Sequence, residues 1–277
     1  MKGSIRQIVV AMDNSTFSLT AAHWGAHLAA AAPQAELVLV HVVDVRYIDG
    51  PWFADICGAL GAAPYEHLVQ NLTNALTERG ANVLAMGKQI AAEHGIVPQT
   101  KLLKGLFVDV IREVTQEANL LVLGRRGDDY STGSHLLGTA GERAIRQVGC
   151  SCLVVPESFR EATTMVVGVN DSGPARAAMR WADYLRQIIP GLVVKPIHVR
   201  QPHERSDFAD LQVAGAPVAL LDGDPEALLA GECAADPERT LCVIGATGHA
   251  RSFRELILGT LTFHLLHKVK SPVLIAR

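Results

Sequence analysis

A stretch of 20 residues that occurs twice constrains the fold of this chain more than any other feature. Residues 120–139, LLVLGRRGDDYSTGSHLLGT, return as residues 241–260, LCVIGATGHARSFRELILGT, at a constant offset of 121. Gly124 and Gly127 align with Gly245 and Gly248, and Leu137-Gly138-Thr139 aligns with Leu258-Gly259-Thr260. Each copy reads as an apolar strand, a Gly-x-x-Gly turn, a polar loop, and a Gly-Thr that opens a helix. Glycines without a Cβ let backbone N–H groups close on an anion. A helix start adds unpaired N–H donors and the positive end of the dipole. The loop is neither a Walker A motif, since no Gly-Lys-Ser/Thr follows, nor Gly-x-Gly-x-x-Gly. One Gly-x-x-Gly would be an ordinary turn; two with matched Gly-Thr partners point to anion binding.

A second register runs at an offset of 157. Val9-Val10 matches Val166-Val167, Asp13 matches Asn170, Ser15 matches Ser172, Trp24 matches Trp181, and His41-Val42 matches His198-Val199. The chain therefore reads as a tandem duplication, with one unit over residues 1–157 and another over 163–277. His41 to Gly105 spans 64 residues, but the matching His198 to Gly223 spans 25, so the second unit lacks 39. What is missing is most of the helical crossover after the second strand. Residues 200–217 suffice for a minimal connection, leaving one sheet face thinly covered or covered by the other half.

Within the first unit, residues 8–12 are an unbroken apolar run of strand length, as expected of a central parallel strand buried on both faces, and residues 37–43 form the second strand. A helix between them is capped by Asn14 or Ser15 and stops near Pro33. A Gly-, Pro- and aromatic-rich loop over 47–64 leads to a long helical stretch over 66–94. Its row Leu68, Leu72, Leu76 reads as a core stripe, and Gly80 as a place to bend or split. Alternating strands and helices in both units give an α/β fold of two doubly wound parallel sheets, the second shortened. Ligands of such sheets sit outside the carboxyl ends of the strands, where the winding reverses. Asp13 and Gly124 stand at two such ends. A phosphate on the glycine loop would then set a nucleoside near Asp13 and Val42, with the carboxylate accepting from ribose hydroxyls.

Composition excludes several classes. The net charge of −3 offers no electrostatic case for nucleic acid or an anionic membrane surface. No apolar run is long enough to span a bilayer, and the first residues lead into a strand without a signal-peptide pattern. Five cysteines lack the density of a disulfide scaffold and fit a reducing cytoplasm. Cys150 and Cys152 are read as small buried hydrophobes. His23 and His27 have i, i+4 metal-ligand spacing but no evident third ligand, so a structural role is expected. His264 and His267 are weaker candidates of the same kind, while His41 and His198, at equivalent strand ends, could approach a ligand but are expected to be satisfied buried histidines. Ser151 lacks the second glycine of a nucleophile elbow. No catalytic constellation is found.

These residues resemble the universal stress protein family in its tandem two-domain form. The resemblance rests on the strand ending in Asp13, the strand ending His41-Val42, Gly124-x-x-Gly127 with Gly138-Thr139, and the final strand 152–155; both copies cover nearly the whole chain. It implies a Rossmann-like, adenine nucleotide alpha hydrolase-like fold that binds ATP, non-catalytic or weakly hydrolytic, acting in a stress response through nucleotide-dependent shape or partner binding. Adenine and ribose would meet Ala11, Met12, Asp13 and Val42, and the phosphates Gly124, Arg125, Gly127, Gly138 and Thr139. The second set is Gly168, Val169, Asn170, Val199, Gly245, Gly248, His249, Gly259 and Thr260. Family members that bind ATP place nine residues between the second glycine and Gly-Ser/Thr; here ten intervene in both copies. Asn170 replaces the acid, while Arg251 and Arg254 make the second loop the more basic, so the first site is favoured only narrowly. Asp128 and Asp129 offer carboxylates to Mg²⁺, with a solvated acidic turn as the commoner outcome. The resemblance also implies that the last strands, 152–155 and 273–276, pair the two halves as an intrachain pseudo-dimer. An alternative is a protein-interaction module whose nucleotide sites have lapsed.

Overall fold

The computed structural model describes residues 5–44, 58, 66–127, 138–200, 208–246 and 259–277. The chain begins with β1 (Gln7–Met12), α1 (Thr16–Ala31), β2 (Glu36–Asp44), α2 (Glu66–Glu93), β3 (Gln99–Gly105), α3 (Phe107–Val114), β4 (Leu120–Gly124), α4 (Thr139–Gln147) and β5 (Ser151–Val155). It continues with β6 (Thr164–Gly168), α5 (Gly173–Ile188), β7 (Val193–Arg200), β8 (Gln212–Val213), β9 (Ala216–Pro217), β10 (Ala219–Asp222), α6 (Pro225–Ala234), β11 (Thr240–Gly245), α7 (Thr260–Lys268) and β12 (Val273–Ala276).

Ten strands form one sheet in the order β10-β7-β6-β11-β12-β5-β4-β1-β2-β3. Each half is parallel internally, and β12 joins β5 antiparallel, with Val273 opposite Val154 and Ile275 opposite Cys152. The apolar runs become strands because both faces of the sheet are covered: Ile8, Val9 and Val10 are fully buried. One face carries α1, α2 and α5 in a core that includes Trp24, Leu39, Val83, Leu153 and Trp181. The other carries α3, α4, α6 and α7 around Ile111, Ile145, Leu229 and Leu265. Ser15 caps α1 by accepting the Ser18 N–H, and Ser172 caps α5 by accepting the Ala175 N–H.

Several local expectations change. Helix α2 runs through Gly80 without a break. A Cβ there would stand 2.5 Å from His41 Cδ2 and 2.7 Å from Leu102 Cδ1, so this glycine lets the helix press on the sheet. Leu72 and Leu76 are half-buried, and the core face of α2 is made instead by Val83, Leu84, Ile90 and Ala91; the side chain of Leu68 and the loop over 47–64, apart from Gly58, lie outside the described residues. The shortened crossover is covered by its own chain rather than by the other half: the β8–β9 hairpin places Val213 in the core beside Phe208 and Val218. Its turn is held by Asp183, which accepts the Ala214 N–H at 2.7 Å.

Two polar contacts cross between the halves through Ser151, which is 3% exposed. Its Oγ accepts from Trp181 Nε1 at 2.9 Å and from the Arg277 N–H at 3.1 Å. Ser151→Ala leaves the buried Trp181 Nε1 and the half-buried Arg277 N–H without this acceptor, and equilibrium urea unfolding should show a loss of about 2 kcal/mol.

The segment that joins the halves is gripped by histidines. Phe159 stacks on His23 at 5.2 Å and meets His27 and His94 edge-on, while His23 Nδ1 lies 3.2 Å from His94 Nε2. Burial, and then His94, hold His23 below the ordinary histidine value against the pull of Glu93. Burial does the same at His27 against the opposing pull of Glu161. The unfolded chain thus takes up these protons first, so their stabilisation is complete above about pH 6.5 and is lost as pH falls below it. The urea midpoint should be lower at about pH 5 than at neutral pH, and the difference should shrink in a His23→Gln/His27→Gln double variant.

Candidate functional site

The strand order sets the reversal of winding between β1 and β4, which pair from Ile8–Leu120 to Val10–Val122. A cavity of about 920 Å³ opens there, beyond the carboxyl ends of β1, β2 and β4. Ala11, Met12, Asp13, Val42, Gly124, Arg125, Gly127, Gly138 and Thr139 all line it. The equivalent reversal between β6 and β11 carries a cavity of about 320 Å³, lined by Gly168, Val169, Asn170, Val199, Gly245 and Thr260. Gly259 opens α7 beside it, and Gly248 and His249 lie outside the described residues.

Asp13 builds its own end of β1. Its Oδ1 accepts the Ser15 N–H at 2.9 Å and the Ser15 hydroxyl at 2.5 Å, an Asx turn that leads into α1. Asn170 Oδ1 accepts the Ser172 N–H at 2.9 Å in the same way. His41 Nδ1 meets Met12 O, and His198 Nδ1 meets Val169 O, both at 2.9 Å. These histidines pin neighbouring strand ends; His198 also stacks on Phe208 with ring centres 4.0 Å apart.

The three glycines of the signature do different jobs. A Cβ on Gly124 would stand 2.6 Å from Phe17 Cβ and 2.9 Å from its backbone carbon. On Gly245 it would stand 2.3 Å from the Pro174 carbonyl carbon. The first glycine is therefore required by the first turn of α1 or α5 lying on the strand end, with no ligand needed to explain it. A Cβ on Gly127 would stand 2.7 Å from Asp13 Oδ2, so this glycine admits the carboxylate. Gly138 differs: the nearest atoms to a Cβ are 3.9 Å away. Gly138 and Gly259 open α4 and α7 without a side-chain cap, so the first N–H groups of each helix are left to a ligand or water.

Arg125 corrects an expectation. Its side chain leaves the cradle, 8% exposed, and donates to the carbonyls of Val269 and Ser271 at the far end of α7. The cationic side chains that do line the first cavity are Arg79, Arg126 and Arg143, beside the carboxylates Asp13, Asp44 and Asp109. Asp109 pairs with Arg112 at 3.0 Å. Arg143 stands four residues after Thr139, one turn along the same helix face, which the sequence could have revealed. Arg79 comes from α2, and no local signal links it to the glycine loop. The charged residues among the described lining of the second cavity are Asp224 and Glu226. Asp224 caps α6 through the Ala227 N–H at 2.8 Å, and Glu226 pairs with His264 at 2.8 Å. An uncapped helix start and three arginines fit a polyphosphate at the first cavity. Among the described residues, the second cavity is lined by no arginine. Among the described residues no three metal-ligand side chains converge, and Asp128 and Asp129 lie outside them.

A Rossmann-like α/β sheet with a cleft at its winding reversal defines the class of protein. The model of the universal stress protein family matches residues 4–156, and the chain belongs to that family. It is 25% identical over 297 residues to the universal stress protein Slr1230 of a Synechocystis strain, covering 99% of this chain and 100% of that one. Over 160 residues it is 31% identical to the universal stress protein MJ0531 of Methanocaldococcus jannaschii, covering 56% of this chain and 85% of that one. The crystal structure of a universal stress protein from Archaeoglobus fulgidus superimposes with a TM-score of 0.72 at 15% identity, covering 99% of both chains. That likeness shows the fold.

If Gly245 serves packing, its replacement should act on stability with no ligand present. Gly245→Ala drives a Cβ into the backbone of Pro174 and Ala175, and thermal or urea unfolding of the ligand-free protein should register a loss of about 3 kcal/mol.

Proposed function

We propose that this protein binds ATP in the first cavity and that occupancy changes the surface it offers to a protein partner in a stress response. Adenine and ribose rest against Ala11, Met12, Asp13 and Val42, with the Asp13 carboxylate accepting from the sugar hydroxyls. The phosphates face Gly127, Gly138 and Thr139, where backbone donors at the start of α4 meet Arg126 and Arg143, and Mg²⁺ enters with the nucleotide. The observation that carries this reading is the cavity of about 920 Å³ in which an uncapped helix start and three arginines converge. No general base is assigned among the described residues, and the reading is a binding role, non-catalytic or weakly hydrolytic.

The two halves read as tandem domains, residues 1–157 and 163–277, arranged as an intrachain pseudo-dimer. Element bounds support this: α1 and α5 coincide at an offset of 157, and α4 and α7 at 121. The second site, with Asn170 in place of the acid and a cavity of about 320 Å³ lined by Asp224 and Glu226, is proposed to have given up the triphosphate. That difference also favours a second reading, in which the whole protein is an interaction module with lapsed sites. Titration calorimetry with Mg-ATP separates them: the first reading requires saturable binding by the wild type, and its absence defeats it. Asp13→Asn keeps the acceptor for Ser15, so its thermal midpoint should hold. Removing the charge should weaken ATP binding about tenfold.

A further inference from the structure

Arg125 belongs to the glycine loop of the first cavity, yet its guanidinium is bound to the second half. Its N–H donates to Val155 O on β5 at 2.9 Å, and its carbonyl accepts from the N–H of Gly138, which opens α4, at 3.0 Å. Its Nη1 donates to Val269 O, and its Nη2 to Ser271 O at 3.0 Å. Val269 closes α7, and the opposite end of that helix, at Thr260 and Leu261, lines the second cavity. One residue therefore touches the start of the anion-facing helix of the first half and the tail of the corresponding helix of the second.

This grip resists release. The guanidinium has carbonyls as its partners, and its Nε is buried without one. Burial and the neighbouring Arg126 pull it down to about 10. A buried cation is stabilised here by two carbonyls and by the negative end of the α7 dipole, so letting go would strand the charge. A loop that moves must carry the tail of α7 with it. That helix has nine residues, about 14 Å, short enough to shift as one rod.

We propose that Arg125 couples the two cavities, so that a polyphosphate held on the first glycine loop shifts α7 and reshapes the second cavity. The inference rests on the ATP reading of the first site. Because coupling is reciprocal, a ligand in the second cavity would change affinity at the first by the same factor.

The test is amide hydrogen exchange on the full chain, with and without Mg-ATP, at concentrations saturating each variant. In the wild type, exchange over 261–268 should change about fivefold or more on ATP addition, while that of α6 stays constant. In Arg125→Met the α7 response should vanish with the first loop still responding. Arg125→Lys, which keeps the charge but reaches one carbonyl, should give less than half the wild-type response and serves alone if the Met variant does not fold. A wild-type α7 that ignores bound ATP overturns the coupling and leaves the ATP site standing. So does a response as large in either variant as in the wild type. No saturable ATP binding by the wild type removes the site and the coupling together.

Discussion

The antiparallel pairing of β5 with β12 is the contact on which the rest of the molecule depends. Every other pair in the ten-stranded sheet is parallel. Without this contact each half would end in an exposed strand that is apolar on both faces: Ser151 to Val155 and Val273 to Ala276 are all buried. Such an edge is a template for aggregation, and neither strand carries the charges or proline that natural edges use to blunt it. Burying Leu153, Val154, Leu274 and Ile275 contributes about 2 kcal/mol per side chain. The cross-half bonds then add direction to an apolar contact: Trp181 to Ser151, Ile5 to Tyr184, and Arg277 to the carbonyls of Ile145 and Val148.

The two cavities on either side of that pairing differ in company. Both are built by one rule, the reversal of winding beside the first strand of each half, and both keep the turn of Asp13 or Asn170 and the pinning histidine. What distinguishes them comes from elsewhere. The long helix α2 delivers Arg79 to the first cavity, whereas the second half has a two-stranded hairpin in place of such a helix. Among the described residues, the shortened crossover thus supplies its own cover but no counterpart of Arg79.

Much of this was legible in the sequence. Unbroken apolar runs gave the central strands, serine caps gave the helix starts, and the two offsets gave the order of elements. The positions of Asp13 and Gly124 just past strand ends were readable from the apolar runs, and the structure makes those two strands, β1 and β4, neighbours. The misreadings have a common origin. Gly-x-x-Gly says that a Cβ is excluded, but not by what: at Gly124 and Gly245 the excluding atoms belong to a helix turn. The direction of Arg125 depends on carbonyls 144 and 146 residues away, which no local pattern encodes. The hairpin escaped because its turn uses Ala214 at a positive φ of 51° before Gly215, without the Asn-Gly or Asp-Gly that marks tight turns.

Geometry then accounts for the reciprocal arginines. Strands are parallel within each half and the halves meet antiparallel, so the two cavities open at opposite edges of the sheet. Helices α4 and α7 run back against their strands, starting at one cavity and ending at the edge where the other half has its carboxyl ends. The tail of each helix, with its unsatisfied carbonyls, therefore falls among the strand ends of its neighbour. Arg277, following β12, meets the tail of α4; Arg125, following β4, meets the tail of α7. The two positions are not equivalent by either internal offset, so a shared ancestor residue does not explain them. The antiparallel junction creates two carbonyl-rich pockets, and each half has filled the one facing it with a cation from its own strand end.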